Sequence, residues 1–464
     1  MRFFTEIPIF HKTAAEVILK SHSQSRLPSG VINAICTNSR LAERADIFFA
    51  FEQNRDKAIA HVREARARGA VTVSEIPFES TITVKCVKQA FLDLAAYYKN
   101  LLTIKKTIAI TGSNGKTTTK DVSSKLISSA FNTHATKGNF NNEIGVPITI
   151  FTAPKDTEIL IAEAGMNHKG ELSLLSDCLR PDVCVITNVG SAHIGNLGSR
   201  EQIALAKLEI LDGMNEPLLL APANEPLLEA HRTFSVSYDG TRADFMLNTK
   251  LSDQTRAIFD FYSDKLKIED LTVYATGAHI PPALAFSLSL CSLLGIDEQS
   301  LKYAAAELRD SIARSTVRQI GYLTVIDDTY NSSPEAVLCA LKTLRLYKNR
   351  RISAVLGDML ELGENSEQYH RSIGKACADA GLSRLYTFGK YARVIADGAI
   401  SGGMRAELIS INEDMSARHI TAEEITRSSL EGDVILFKAS NAVGLDRVIR
   451  ILDEKITKGE DSSE

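Results

Sequence analysis

The stretch Thr111-Gly112-Ser113-Asn114-Gly115-Lys116-Thr117-Thr118-Thr119 gathers the residue types that handle phosphate. It follows an apolar run, Lys106–Ile110, that reads as a strand, and precedes a helix expected to start near Lys116. Glycines let backbone N–H groups close around phosphate oxygens, and a helix N-terminus adds a favourable dipole. Lys116 can reach the β- and γ-phosphates of a nucleotide, and the Thr117 hydroxyl can ligate Mg²⁺. Gly112, Ser113, Asn114, Gly115 and Thr118 complete the candidate cradle. The strict GxxxxGK[ST] spacing is not met, because Ile110 stands at its first glycine position. The strand–loop–helix context therefore carries the assignment over an ordinary glycine-rich turn.

Two further strand ends supply candidate metal ligands. Ile159-Leu-Ile-Ala-Glu163 places a carboxylate at the C-terminal tip of a buried strand, where open α/β sheets bind their ligands. His193 lies in the loop after the strand Asp182–Thr187. Nucleotide chemistry needs a divalent metal, and oxygen and imidazole ligands suit it. The segment Gly138–Pro147 carries Asn139, Asn141 and Asn142, a turn-forming cluster whose amides could also hydrogen-bond a polar substrate. Later in the chain, Val325-Ile-Asp-Asp-Thr-Tyr-Asn331 again ends a strand in carboxylates. Asp328 there could bind ribose hydroxyls or cap a helix.

The elements that must position these residues fall into alternating blocks. Strands are expected at Thr107–Thr111, Glu158–Ala162, Asp182–Thr187 and Pro217–Ala221, and their near-continuous apolar runs indicate a parallel sheet covered by helices. Residues 244–275 switch to period two, which indicates an antiparallel insertion or an edge hairpin. A third block has strands at Leu323–Ile326, Ile352–Leu356, Leu385–Phe388 and Val434–Phe437, and the tail Lys458–Glu464 is polar. The fold class is α/β, with a small N-terminal domain ahead of two open sheets. The expected domains are 1–90, 91–312 and 313–464.

Composition limits the function classes. The 464 residues carry 53 Lys+Arg against 57 Asp+Glu, so no basic excess favours nucleic acid or a membrane surface. The longest apolar run, Pro281–Ile296, is too short and too rich in serine for a membrane span. The seven cysteines form no CxxC and sit largely in apolar runs, as in a reducing compartment. No signal peptide is read at the N-terminus, and the cytoplasm is the expected location.

Taken together, TGSNGKTTT, GNFNNEIGVP, IAEAGMNHKGE, ITNVGSAHIGNLGS, AKLEI, VIDDTYNSSPEA and VLGDMLELGENSEQYH resemble the Mur ligase family, in order and spacing, from about Cys36 to Arg450. The last two segments most resemble the member that adds a dipeptide. The resemblance implies a uridine-nucleotide-binding N-terminal domain, a central P-loop-type ATPase domain with a mostly parallel sheet, and a Rossmann-like C-terminal domain. It also implies ATP and Mg²⁺ as cofactors, and a peptidoglycan-precursor reaction. In that reaction D-alanyl-D-alanine joins a UDP-N-acetylmuramoyl tripeptide through an acyl phosphate, and the enzyme is expected to be a monomer. Asn38-Ser39-Arg40 stands where the family has Asp-Ser-Arg, which makes Ser39 and Arg40 substrate contacts together with Asn139 and Asn142. The implied metal set is Thr117, Glu163, His193 and Lys207. The implied catalytic set is Lys116, His193 and Lys207, and Asp328 and Asn331 join the phosphate loop at the nucleotide. The Asn residues expected near adenine are absent from Thr276–Ala285, and the late Lys-Gly-Ser-Arg is Lys438-Ala-Ser-Asn441 here.

Lys207 is unusual on its own terms. Helical spacing surrounds it with Ile203, Ala204, Ile210 and Leu211, so it should sit in a buried stripe, either snorkelling to water or held inside. The resemblance implies a carbamylated lysine there. Two other readings stand beside the dipeptide ligase. One is a related ligase, adding the third amino acid or resembling folylpolyglutamate synthase; the other is an ATP-binding switch that ligates nothing.

Overall fold

The computed structural model describes residues 1–19, 30–78, 80–309, 316–414, 416 and 418–460. The boundary expected at 312/313 and the end of the polar tail, 461–464, lie outside the described residues. The chain divides into two compact units, Met1–Thr111 with Ala130–Val185 and Ala206–Leu219, and Gly112–Ser129 with Ile186–Leu205 and Leu220–Glu464.

In the first unit, β1 (Arg2–Phe10), β2 (Val31–Cys36), β3 (Ile47–Phe49), β4 (Val71–Ser74) and β5 (Ile82–Thr83) form a sheet in sequence order. Only the β1–β2 pair is antiparallel. β6 (Lys106–Thr111), β7 (Thr133–Ala135), β8 (Ile159–Glu163) and β9 (Val183–Ile186) follow in the spatial order β9-β6-β8-β7, with β8 parallel to β6 and β7. Ile108, Ala109 and Ile110 of β6 and Leu160, Ile161 and Ala162 of β8 are wholly buried, as continuous apolar runs require when helices cover both faces.

In the second unit, β10 (Leu219–Pro222), β11 (Phe234–Ser237) and β12 (Phe245–Ser252) are parallel, and β13 (Ala257–Tyr262) and β14 (Lys267–Val273) turn antiparallel, as the period-two segment indicated. The helix Lys116–Ile127 packs on the helix Ile280–Leu294, where the Ser123 and Ser287 hydroxyls meet at 2.8 Å. A separate six-stranded sheet contains β15 (Thr316–Ile320), β16 (Leu323–Asp328), β17 (Ile352–Gly357), β18 (Arg384–Phe388), β19 (Ile409–Asn412) and β20 (Val434–Lys438) in the order β15-β16-β20-β17-β18-β19. All its pairs are parallel except the edge strand β15. Successive residues feed opposite cores. Ile326 and Leu356 pack with the helices Pro334–Leu344 and Ser366–Asp379, while Val325 and Val355 pack with Arg418–Ser428 and Asp446–Glu460. That is a doubly wound sheet, and β20, inserted between β16 and β17, marks the crevice where such sheets take ligands. β15 and β19 were not legible as strands. Among the described residues no helix is long and apolar enough to cross a membrane.

Candidate active site

The loop after β6 is fixed by its own backbone chemistry. Gly112 has φ +147°, and a Cβ there would come within 1.9 Å of the Thr187 hydroxyl, so the position accepts only glycine. Gly115 has φ +79° and caps the helix Lys116–Ile127. Asn188 accepts the Asn114 N–H on its side-chain oxygen at 3.0 Å and donates its side-chain amide to the Asn114 carbonyl, also at 3.0 Å. Thr187 Oγ1 donates to that same carbonyl at 2.6 Å. Gly190 N–H donates to Ser113 Oγ at 2.9 Å. The Lys116 ammonium donates to the Gly112 carbonyl at 2.7 Å and the Ser113 carbonyl at 3.3 Å, so it lies over the loop that it would serve.

A cavity of about 260 Å³ opens on this loop, and its walls bring together most of the sequence-derived nucleotide residues. Ser113, Asn114, Gly115, Lys116, Thr117 and Thr118 line it, with Asp328 and Asn331 at the end of β16. Gly112, at the start of the loop, does not line the cavity. The helix Pro334–Leu344 forms another wall, with Pro334 at its first position. Its start grips the loops: Ser333 Oγ donates to Asn114 Oδ1 at 3.1 Å, and Glu335 accepts the Ser191 N–H at 2.9 Å and its hydroxyl at 3.1 Å. Asn188, Glu335 and Lys438 were not singled out as site residues. Each lies inside or beside a segment already marked, but its partner is distant in sequence.

The donors fit a phosphate. Asn114 Nδ2 is buried with no hydrogen-bond partner among the described residues, an orphan that a phosphate oxygen would satisfy. The far wall is less polar, with Ile326, Ala336, Ala340 and Leu436. Burial pushes the Cys339 thiol there up to about 11, so it presents a neutral group.

The remaining candidates have their own settings. Glu163 ends β8 opposite Ile110 of β6, with Ala164 N–H donating to the Ile110 carbonyl at 2.9 Å. Its side chain is fully buried and accepts a 2.8 Å bond from Asn141 Nδ2. Asn139 and Asn142 are exposed, and Asn142 Oδ1 is occupied in accepting the Ile144 and Gly145 N–H groups. So the asparagine that meets the metal candidate is Asn141. Lys207 is only 2% exposed, on the helix Arg200–Leu208, which excludes a head group in water. His193 does not line the nucleotide cavity; it has φ +64° and lies 2.5 Å from Glu361, which is itself at φ +64°. The adjoining loops touch so closely that a Cβ on Gly195 would come within 2.7 Å of Gly363 N. Ser39 and Arg40 line a cavity of about 760 Å³ with Phe49, His61 and Lys88, and Ser39 Oγ donates to Glu64 at 2.7 Å.

For metal, among the described residues no three His, Cys, Asp or Glu side chains converge. The hydroxyl of Thr117 and the carboxylate of Glu163 are nonetheless hard oxygen donors. Each by itself is a ligand type that Mg²⁺ takes beside waters and phosphate oxygens.

Residues 110–279 match the Mur ligase middle domain, and residues 313–441 match the Mur ligase, glutamate ligase domain. The chain is 32% identical over 459 residues to the UDP-N-acetylmuramoyl-tripeptide–D-alanyl-D-alanine ligase of Bacillus subtilis (strain 168), covering 96% of this chain and 98% of that one. Among solved structures it is similar to a MurF from Acinetobacter baumannii, with a TM-score of 0.87, 26% identity, and 97% and 99% of the two chains covered. It is similar also to the MurF ligase from Thermotoga maritima in complex with ADP, with a TM-score of 0.79, 27% identity, and 91% and 98% covered.

Proposed function

Because this chain belongs to the Mur ligase family of ATP-dependent ligases, we propose that it joins D-alanyl-D-alanine to a UDP-N-acetylmuramoyl tripeptide during peptidoglycan precursor synthesis. The observation that carries this reading is the cavity in which the phosphate loop meets Asp328 and Asn331, with Asn114 Nδ2 buried and without a hydrogen-bond partner among the described residues. A carboxylate is a poor electrophile until it is phosphorylated, so the tripeptide carboxylate takes the γ-phosphoryl group first. The dipeptide amine then displaces phosphate from the acyl phosphate.

In this reading Lys116 and the loop amides bind the phosphates, and Lys116 moves its ammonium from the loop carbonyls to charge developing on the transferring group. Asp328 and Asn331 hold the ribose end. Thr117 and Glu163 would hold Mg²⁺, joined by His193 and a carbamylated Lys207; bound Mg²⁺ supplies charge screening between phosphate and carboxylate. Ser39, Arg40, Asn139 and Asn142 contact the UDP-linked substrate. The working domains are 1–90, 91–312 and 313–464, in a cytoplasmic monomer.

ADP release tests the proposal, assayed with the UDP-N-acetylmuramoyl tripeptide and D-alanyl-D-alanine supplied separately and together. The expected result is release only with both. Release with neither substrate present, or none with both, rejects it and favours a nucleotide-binding switch.

A further inference from the structure

We propose that Lys438 positions the ribose-facing end of the nucleotide site, holding the Asp328 carboxylate and the Asn331 carbonyl in one arrangement. The inference rests on the reading of Asp328 as a nucleotide contact. Lys438 is the last residue of β20, the central strand at the crevice, and its register partner on β16 is Asp328. Paired residues of neighbouring strands project from the same face, and the Lys438 ammonium donates to Asp328 Oδ2 at 2.8 Å. It also donates to the Asn331 carbonyl at 2.9 Å, three residues further along the loop that leaves β16. Lys438 is 2% exposed and lines the same cavity as both partners.

Burying an ammonium is costly, and a well-packed apolar side chain would serve a sheet at least as well. Sheet stability therefore does not account for a lysine here. What the ammonium does is geometric. It occupies one oxygen of Asp328 and leaves Oδ1 with no hydrogen-bond partner among the described residues, beside the cavity. It also ties down a loop already pinned where Thr329 donates to Asp327 at 2.7 Å and where Ser333 caps the next helix. A carboxylate with one oxygen fixed and the other open suits a vicinal diol, so the ligand feature it would read is the ribose of a nucleotide.

The test is calorimetric titration of ADP and of 2′,3′-dideoxyADP into the full chain, for wild type, Lys438→Met, Lys438→Gln and Asp328→Asn, with thermal unfolding run on each. Wild type should bind ADP about tenfold or more tighter than the dideoxy analogue, as expected for hydrogen bonds to a charged group. The folded Lys438 variants and Asp328→Asn should lose most of that discrimination, while affinity for the dideoxy analogue changes little. Either Lys438 variant that folds suffices, since Met has no donor and Gln has only a shorter, neutral one. Discrimination lost in Asp328→Asn but kept in the Lys438 variants overturns the role of the lysine alone. If wild type binds both ligands alike, the ribose reading of Asp328 falls, and this inference with it.

Discussion

Asn141 Nδ2 donates a 2.8 Å hydrogen bond to Glu163 Oε1, joining the asparagine turn to the buried carboxylate at the tip of β8. Glu163 is wholly buried, and a buried charged group relies on its hydrogen bonds for orientation. Asn141→Ala should therefore lower kcat by roughly 10- to 100-fold, the scale of a lost hydrogen bond to a charged group, and raise the Mg²⁺ concentration needed for half-maximal rate. Asn139→Ala, at an exposed position, should leave the Mg²⁺ dependence unchanged. Equal Mg²⁺ curves for Asn141→Ala and wild type would remove Glu163 from the proposed metal site.

Lys116→Ala should abolish turnover without unfolding the protein. The loop is shaped by Gly112 and Gly115 and by the Thr187 and Asn188 bonds to Asn114, none of which needs the lysine. Removing one preorganised donor to a transition-state charge costs about 10²- to 10³-fold in kcat. Steady-state rates at saturating ATP, with thermal unfolding as the control, check this. Near-normal turnover would contradict the assignment.

Lys207→Ala should be nearly inactive, and formate or acetate added at high concentration should restore part of the rate. The lysine is buried on the helix Arg200–Leu208, and Ile203, Ala204 and Ile210, three or four positions away in sequence, are buried too. A buried amine is favoured in its neutral form, which can add CO₂ to give an anionic carbamate. A small carboxylate would replace that anion. A mutant with wild-type rates, or mass spectrometry and crystallography that find only an unmodified amine, would refute the carbamate.

Acid should destabilise the second unit through His370. Its Nε2 accepts the Met359 N–H at 2.9 Å, its Nδ1 faces the Ser366 carbonyl at 2.6 Å, and burial lowers its pKa below the ordinary 6.5. The unfolded chain then binds a proton that the folded chain refuses. The stabilisation is complete above the unfolded pKa of about 6.5 and is lost progressively as pH falls below it. His370→Gln keeps an acceptor for Met359 but does not titrate. Its Tm should fall less steeply than that of wild type between pH 7 and pH 5. His134, also lowered by burial, leaves the same trend in both proteins. Parallel curves would exclude His370 as a source.

The phosphate loop was legible in the sequence because its requirement is local: Gly112 and Gly115 supply backbone conformations that only glycine adopts readily, between a strand and a helix. The same holds for Glu163 at the end of an apolar run and for the period-two segment that became β12–β14. Residues 316–320 and 409–412 gave no such signal, since edge strands are exposed or half-buried and carry little of the apolar pattern that betrays β6 or β8. Asn139, Asn141 and Asn142 looked equivalent as a cluster. Only the turn decided that Asn142 accepts the Ile144 and Gly145 N–H groups while Asn141 meets Glu163. The pairing of Lys438 with Asp328 was equally hidden, because 110 positions separate two residues that register across β16 and β20 makes neighbours. Sequence determines which side chains can do chemistry; tertiary structure alone decides which of them share an atom's length of space, since strand order and crossover helices set distances that spacing along the chain does not encode.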